Sequence, residues 1–129
     1  TFMPKPFTHI DGNGFHAHIS VIDESGRNIF DDGGEDGTPA LRHAVAGLAA
    51  TMPDLMLVFA PHRNSYRRYA VGTHIPQAPT WGYENRDVAL RIPCGDPRAR
   101  RIEHRVPGAD ANPYLVLAAL LAGPPVSTA

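Results

Sequence analysis

Two histidines and a serine occupy every second position of the segment GNGFHAHIS, residues 12–20. In a β-strand, His16, His18 and Ser20 would project from the same face, because side chains alternate between the two faces. Two imidazoles on one face could bind a divalent metal ion together with a carboxylate. A histidine on a strand is more often structural, and this segment lacks a third ligand of its own. The spacing alone therefore leaves both interpretations open.

A carboxylate stands between arginines in the segment RRIEHRV, residues 100–106. Glu103 has Arg101 two positions before it and Arg105 two positions after it, so all three side chains would share a strand face. Arginine binds phosphate and carboxylate oxygens in a bidentate manner, and a glutamate can hold a metal ion that bridges the same phosphates. An exposed salt-bridge ladder is the alternative, and it would contribute little. Further arginines in neighbouring segments favour a small polyanionic ligand: Arg68, Arg86 and Arg91.

Alternation and capping signals predict the elements that position these groups. The pattern predicts a strand from Phe15 to about Ile22, a turn at residues 25–26 and a short hairpin partner at residues 28–30. Thr38 and Pro39 are typical of a helix start, and Pro53 ends that helix.

The second half of the chain contains two strands and a helix. Residues 55–59 are apolar enough for a helix end or a buried strand, and residues 60–82 are typical of a long loop. Residues 87–93 and 100–106 alternate as strands do. Asn112 begins a helix that runs to about Ala122, with Gly123 as its stop. This order predicts an α+β fold with an antiparallel sheet and not a doubly wound one.

Composition narrows the class of protein. The chain has 129 residues, 43% of them hydrophobic, and a net charge of −1, so nothing indicates a nucleic-acid-binding surface. The single cysteine, Cys94, suits a reducing compartment, so we expect a cytoplasmic protein. No stretch approaches the roughly 20 apolar residues of a membrane span. The ends indicate that residues 1–129 are one incomplete segment of a longer domain.

Three competing motifs carry less weight. The segment RNSYRRY could stack on single-stranded nucleic acid, but the neutral overall charge argues against it. DDGGEDG, residues 31–37, lacks the ligand spacing of a calcium loop. His-x-His with Glu24 is similar to a cupin metal motif, but the helix at Thr38 interrupts the strands of such a barrel. No role is assigned to four other histidines: His9, His43, His62 and His104.

Six segments occur in the order found in the glutamine synthetase superfamily, which the chain resembles over nearly its whole length: FMPKPF, GNGFHAHIS, NSYRRYAVG, ENRDVALRIP, ARRIEHRVPGADANPYL and AALLAG. The resemblance implies part of a catalytic domain in which a curved antiparallel sheet with flanking helices holds ATP and glutamate. It implies ligation of the γ-carboxylate of glutamate to an amine through a γ-glutamyl phosphate, with Mg²⁺ or Mn²⁺ as cofactor. It also implies a ring-shaped homo-oligomer.

The resemblance assigns a role to individual positions of this sequence. The implied metal ligands are His16 and Glu103, and Arg86 would stabilise phosphoryl transfer. The implied nucleotide contacts are His18, Ser20, Arg91 and Arg101. The implied glutamate contacts are Gly12, Arg68 and Arg105.

Two positions depart from the pattern of ammonia-using glutamine synthetases. His74 stands where those enzymes carry a glutamate that closes the site, and Asp11 stands where they tend to have asparagine. A histidine has no fixed negative charge to attract ammonium near neutral pH. The segment VPGADANPYL also resembles the γ-glutamylpolyamine synthetase branch.

These departures lead us to expect a larger amine, such as a diamine, with His74 and Asp11 at the amine site. The alternatives are a glutamine synthetase that uses ammonia and a non-catalytic relative. Two metal ligands cannot organise a multi-metal site, so the chain by itself is predicted to be inactive.

Overall fold

A computed structural model describes residues 1–70 and 74–122, and it confirms the predicted α+β class. Four short strands form one sheet in the order β1-β4-β3-β2, with helices beside it. The elements in chain order are β1 (Ala17–Ile19), α1 (Pro39–Thr51), α2 (Met56–Phe59), a 3-10 helix (Ser65–Arg68), β2 (Trp81–Tyr83), β3 (Leu90–Ile92), a second 3-10 helix (Pro97–Ala99), β4 (Ile102–His104) and α3 (Pro113–Leu121).

The centre of the sheet brings distant segments side by side. β4 pairs antiparallel with both β1 and β3, so that His18 and Arg91 each lie opposite Glu103. The predicted alternation of β4 is correct, because Ile102 and His104 face the apolar core while Glu103 lies on the other face of the strand. The sheet thus places one imidazole, one carboxylate and one guanidinium in a row across three strands.

One strand pair departs from the antiparallel prediction. β2 was expected to belong to the long loop, yet it pairs with β3 in parallel. Parallel neighbours normally require a long crossover, but these strands have three residues each, so the chain needs to return by only about 10 Å. Glu84, with a φ of 49°, begins the short connection directly after β2.

Helices α1 and α3 begin as predicted. Thr38 accepts a hydrogen bond from the Leu41 amide, and Asn112 accepts from the amides of residues 114 and 115. These side chains satisfy backbone donors that no helical carbonyl can reach. One apolar face of α1 and its C-cap is buried in the core, with Leu41, Val45, Leu48 and Met52.

Other predicted boundaries shift. β1 is shorter than the predicted strand, and the hairpin is reduced to one bridge between Ile22 and Asn28. The ambiguous apolar stretch is the short helix α2. The predicted stop at Gly123 lies outside the described residues. Within the ranges 1–70 and 74–122, no helix has the length and hydrophobicity needed to cross a membrane.

Candidate functional site

Three side chains that were predicted to do chemistry meet at the carboxylate of Glu103. Its Oε1 lies 2.9 Å from His16 Nδ1 and accepts a hydrogen bond of 2.9 Å from Arg105 Nη1. Its Oε2 accepts a hydrogen bond of 2.7 Å from Arg91 Nη1. The Glu103 side chain is only 5% exposed, so these contacts replace the water that the carboxylate loses on folding.

The surroundings of this cluster favour the ionised form of Glu103 and the neutral form of His16. Burial by itself would raise the pKa of Glu103, but the hydrogen bond from Arg91 and the charge of Arg105 outweigh it and lower that pKa below its ordinary value. Burial, aided by Arg105, lowers the pKa of His16. A carboxylate and a neutral imidazole are the protonation states in which both groups can bind a metal ion.

The geometry of His16 and Glu103 fits part of a divalent-metal site. Their facing atoms are 2.9 Å apart, close to the distance of about 3.0 Å between neighbouring ligands of an octahedral ion with bonds of roughly 2.1 Å. Among the described residues there is no group of three or more His, Cys, Asp or Glu side chains that could hold a metal ion. The two residues can therefore supply one nitrogen and one oxygen ligand, but not a complete site.

A cavity of 410 Å³ adjoins this cluster and collects most of the predicted substrate-side residues. Arg68 and His16 lie in its wall, and His74 also lines it. Its volume is in the range of small-molecule sites. The cavity is lined by Asp11, Gly12, Gly14, His16, Arg68, His74 and Ile75. Segments separated by more than fifty residues thus converge on one space, and the predicted glutamate contact Arg105 lies outside its lining.

Arg68 is held in the wall of this cavity. It ends the first 3-10 helix, is 2% exposed, and donates from Nη1 to the Val106 carbonyl at 3.2 Å. Its guanidinium also lies over the Tyr69 ring, 5.6 Å from the centroid. Burial lowers the pKa of Arg68, but an arginine keeps its charge at neutral pH. A fixed cation at a cavity wall is suited to binding a carboxylate.

Other predicted residues occupy the surroundings of the cluster. Arg101 Nε donates to His18 Nδ1 at 3.1 Å, which places two of the predicted nucleotide contacts together. Arg91 also forms an ion pair with Glu84. The side chain of Arg86 is exposed, and its carbonyl accepts a hydrogen bond of 3.0 Å from Arg105 Nη2.

Ser20 does not line the 410 Å³ cavity. It borders a separate cleft of 280 Å³, which is also lined by Arg27 and Arg98.

The two predicted amine-site residues, His74 and Asp11, both line the cavity. His74 Nδ1 lies 2.7 Å from Asp87 Oδ1, and both side chains are exposed. Asp11 is exposed at the mouth of the cavity. The carboxylate of Asp11 therefore lines the cavity, and that of Asp87 lies against His74, so both bring negative charge near the predicted amine-site residues.

Sequence reasoning missed several residues around Arg68. Gly14 and Gly108 form an isolated bridge against the arginine, and Asp110 accepts hydrogen bonds from the loop that carries it. The run GNG is the local signal that could have indicated a close backbone approach near Gly14. The contact of Asp110 with Ser65 spans 45 residues, and no local pattern indicates it.

Comparison with known proteins identifies the same architecture. Residues 1–124 match the family described as glutamine synthetase, catalytic domain. The chain is 49% identical over 123 residues to gamma-glutamylputrescine synthetase of Escherichia coli, and 43% identical over 122 residues to gamma-glutamylethanolamide synthetase of Streptomyces coelicolor. It is 42% identical to glutamine synthetase of Pyrococcus abyssi.

A solved structure agrees with these matches. The apo structure of GmaS without ligand superposes with a TM-score of 0.79 at 41% identity and covers 95% of this chain. The alignment with the Escherichia coli protein also covers 95% of this chain but only 26% of that protein. The chain therefore spans about a quarter of the length of the curated relatives that it matches.

Proposed function

The chain belongs to the glutamine synthetase catalytic-domain family, and on that premise we propose that the complete protein is an ATP-dependent ligase that joins the γ-carboxylate of glutamate to an amine. In the proposed reaction, a γ-carboxylate oxygen bonds to the γ-phosphorus of ATP and ADP leaves, which gives γ-glutamyl phosphate. The amine nitrogen then bonds to the acyl carbon, phosphate leaves, and the nitrogen loses a proton.

The observation that carries this proposal is a buried cation in the wall of a cavity that is also lined by His16, the partner of the buried carboxylate Glu103. Arg68 supplies a fixed positive charge in the cavity wall, and the backbone at Gly12 lies beside it. His16 joins the cavity to Glu103. We assign Arg68 and Gly12 to binding of glutamate, with Arg105 as a further carboxylate contact held in place by its hydrogen bond to Glu103.

Phosphoryl transfer concentrates negative charge that the protein must neutralise. Arg86 is assigned to the transferring group, and four other residues are assigned to the nucleotide: His18, Ser20, Arg91 and Arg101. A bound Mg²⁺ or Mn²⁺ would neutralise phosphate charge, and His16 and Glu103 would supply two of its ligands. Because these two residues do not complete a metal site, the 129-residue chain by itself is expected to lack ligase activity.

We propose an alkylamine, with putrescine as the first candidate, as the amine substrate. His74 and Asp11 line the cavity, and the carboxylate of Asp87 lies beside His74. Carboxylates on this side would attract an ammonium group at either end of a diamine. The names of the two most similar relatives given above, a putrescine and an ethanolamide synthetase, support an amine larger than ammonia.

The role of Arg68 is tested by Arg68→Ala in the complete protein. Loss of a charged hydrogen bond is expected to raise the glutamate KM at least about tenfold, with the ATP KM little changed. ADP release that depends on both glutamate and amine is the assay. Arg42→Ala is the matched control, since Arg42 is an exposed arginine on α1 that donates to the Gly37 carbonyl. An unchanged glutamate KM in Arg68→Ala would refute the proposed substrate site.

The choice of amine is tested by comparing kcat/KM for putrescine with that for ammonium. A preference for putrescine is expected, whereas a strong preference for ammonium would identify a glutamine synthetase. We propose a ring-shaped homo-oligomer in the cytoplasm as the working state, and the molar mass in solution by light scattering tests the oligomer. A monomeric mass with full activity would contradict it.

A further inference from the structure

The carboxylate of Asp110 joins two loops that lie far apart in the sequence. Ser65 Oγ donates to Asp110 Oδ2 at 2.6 Å, and His62 Nδ1 lies 2.8 Å from the same oxygen. The His62 amide in turn donates to Ser65 Oγ at 3.1 Å. Because Ser65 is fully buried and the Asp110 side chain is only 11% exposed, water cannot readily replace the hydrogen bond between them.

The loop fixed in this way carries Arg68. Ser65 is the first residue of the 3-10 helix and Arg68 is the last, so a single helical turn separates the anchored serine from the guanidinium. A turn that short leaves the backbone little freedom between the two residues. Any displacement of Ser65 is therefore transmitted to Arg68.

The guanidinium of Arg68 fits into a slot formed by two glycines. Gly14 and Gly108 form a backbone bridge, and a Cβ at Gly14 would lie 2.8 Å from Arg68 Nη2. A Cβ at Gly108 would lie 3.3 Å from Arg68 Nη1 and 2.4 Å from Asp110 Oδ1. The Asp110 carboxylate and the Arg68 guanidinium thus both approach Gly108. A side chain at Gly14 or Gly108 would displace Arg68, so both positions require glycine.

The charge of Asp110 complements this slot. Its Oδ1 is buried and has no hydrogen-bond partner among the residues that the structure describes, and the same is true of Arg68 Nε. Among the described residues no ion pair or hydrogen bond joins the two groups, so the Asp110 charge attracts the Arg68 guanidinium at longer range, across the glycine that both approach. The Asp110 charge also opposes the lowering of the Arg68 pKa that burial causes.

From this geometry we propose that Asp110 is a positioning residue that sets the guanidinium of Arg68 at the cavity wall for binding of the substrate carboxylate. Asp110 acts on Arg68 through its hydrogen bond with Ser65, and Gly14 and Gly108 leave room for the guanidinium. This inference rests on the proposed function, in which Arg68 binds glutamate. A purely structural contact would instead lower stability and affect all substrates alike.

Asp110→Asn in the complete protein is the first test, because asparagine keeps the shape and can still accept from Ser65, but loses the charge. The glutamate KM is expected to rise about tenfold, the effect of losing one charged hydrogen bond between Arg68 and glutamate. The kcat and the ATP KM are expected to change less than about twofold. Asp96→Asn is the matched control, since Asp96 also accepts from its own loop but is exposed and lies outside the cavity lining. An unchanged glutamate KM in Asp110→Asn would overturn the proposal.

Ser65→Ala is the second test and serves if Asp110→Asn does not fold. It removes the buried hydrogen bond to Asp110 without changing any charge and leaves the exposed His62 contact in place, and the same selective rise in glutamate KM is expected. An equal loss for glutamate and ATP would indicate a structural role alone and would refute the positioning role.

A double-mutant cycle separates this inference from the proposed function. In an Arg68→Ala background, Asp110→Asn is expected to produce no further rise in glutamate KM, because it acts through Arg68. Additive effects would overturn the inference. If Arg68→Ala itself leaves the glutamate KM unchanged, the proposed function fails, whereas a large effect of Arg68→Ala with none from Asp110→Asn refutes only the positioning role.

Discussion

Replacing Glu103 by glutamine removes the negative charge on which three basic side chains converge. Arg91, Arg105 and His16 all contact its carboxylate within 2.9 Å. Glutamine has nearly the same shape, so the substitution tests charge and leaves no cavity. The side chains of Arg91 and Arg105 are 15% and 10% exposed, so water cannot fully solvate them after the carboxylate charge is lost.

The expected loss of stability arises because the buried arginines no longer have a negatively charged partner at position 103. Removal of one member of a buried ion pair typically costs 3–5 kcal/mol, and Arg91 keeps its second partner, Glu84. We therefore expect Glu103→Gln to lower the free energy of unfolding by about 3 kcal/mol at neutral pH. Glu84→Gln is the control, because Glu84 lies at the exposed end of the same network and its loss should matter much less.

Urea unfolding followed by circular dichroism, compared across pH, measures this loss. The pKa of Glu103 is lower in the folded state than its ordinary value of 4.5, so its contribution is present above that value. The contribution is lost as the pH falls through the lowered folded pKa. The stability gap between the two proteins should accordingly narrow under acidic conditions. A variant as stable as the parent at pH 7, or a gap independent of pH, would refute the reasoning.

Two other substitutions test the core and a helix cap. Burial in the core lowers the pKa of His104 from 6.5 to about 4, so stability should fall by up to about 3 kcal/mol as the pH drops from 6.5 to 4. His104→Leu should remove this pH-dependent part of the stability, which acid unfolding of the parent and the variant measures. An identical pH profile for the two proteins would contradict the prediction. Thr38→Ala deletes the cap of α1 and should cost about 1 kcal/mol, whereas Thr51→Ala, inside the same helix, should cost less in the same urea titration. Equal losses would argue against the capping role.

Local patterns predicted much of the fold because their physical causes are local. Thr38 and Asn112 cap helices through hydrogen bonds to amides two or three residues away. The alternation around Glu103 correctly separated its polar face from the core side of β4. The parallel pairing of β2 with β3 was missed, because strands of three residues carry too little pattern to distinguish them from a loop.

In the candidate site, too, the sequence predicted some features and the tertiary structure decided others. Residue types and motif order, through the family resemblance, selected Arg68 and His74 together with Gly12, and the structure places all three around one cavity. Their assigned roles stay predictions. The resemblance also selected Ser20, which lies in a separate cleft.

By itself, then, the sequence determined which groups are available for chemistry, where the helices start, and which faces of the strands are apolar. Only the tertiary structure decided how Arg68 is held. Gly14 and Gly108 approach its guanidinium, and Asp110 anchors the loop that carries it, through contacts that span tens of residues. Helix capping and strand alternation depend on residues that are near neighbours in the chain, so a local pattern can predict them. The slot between two glycines and the buried carboxylate of Asp110 depend on segments that come together only in the folded chain.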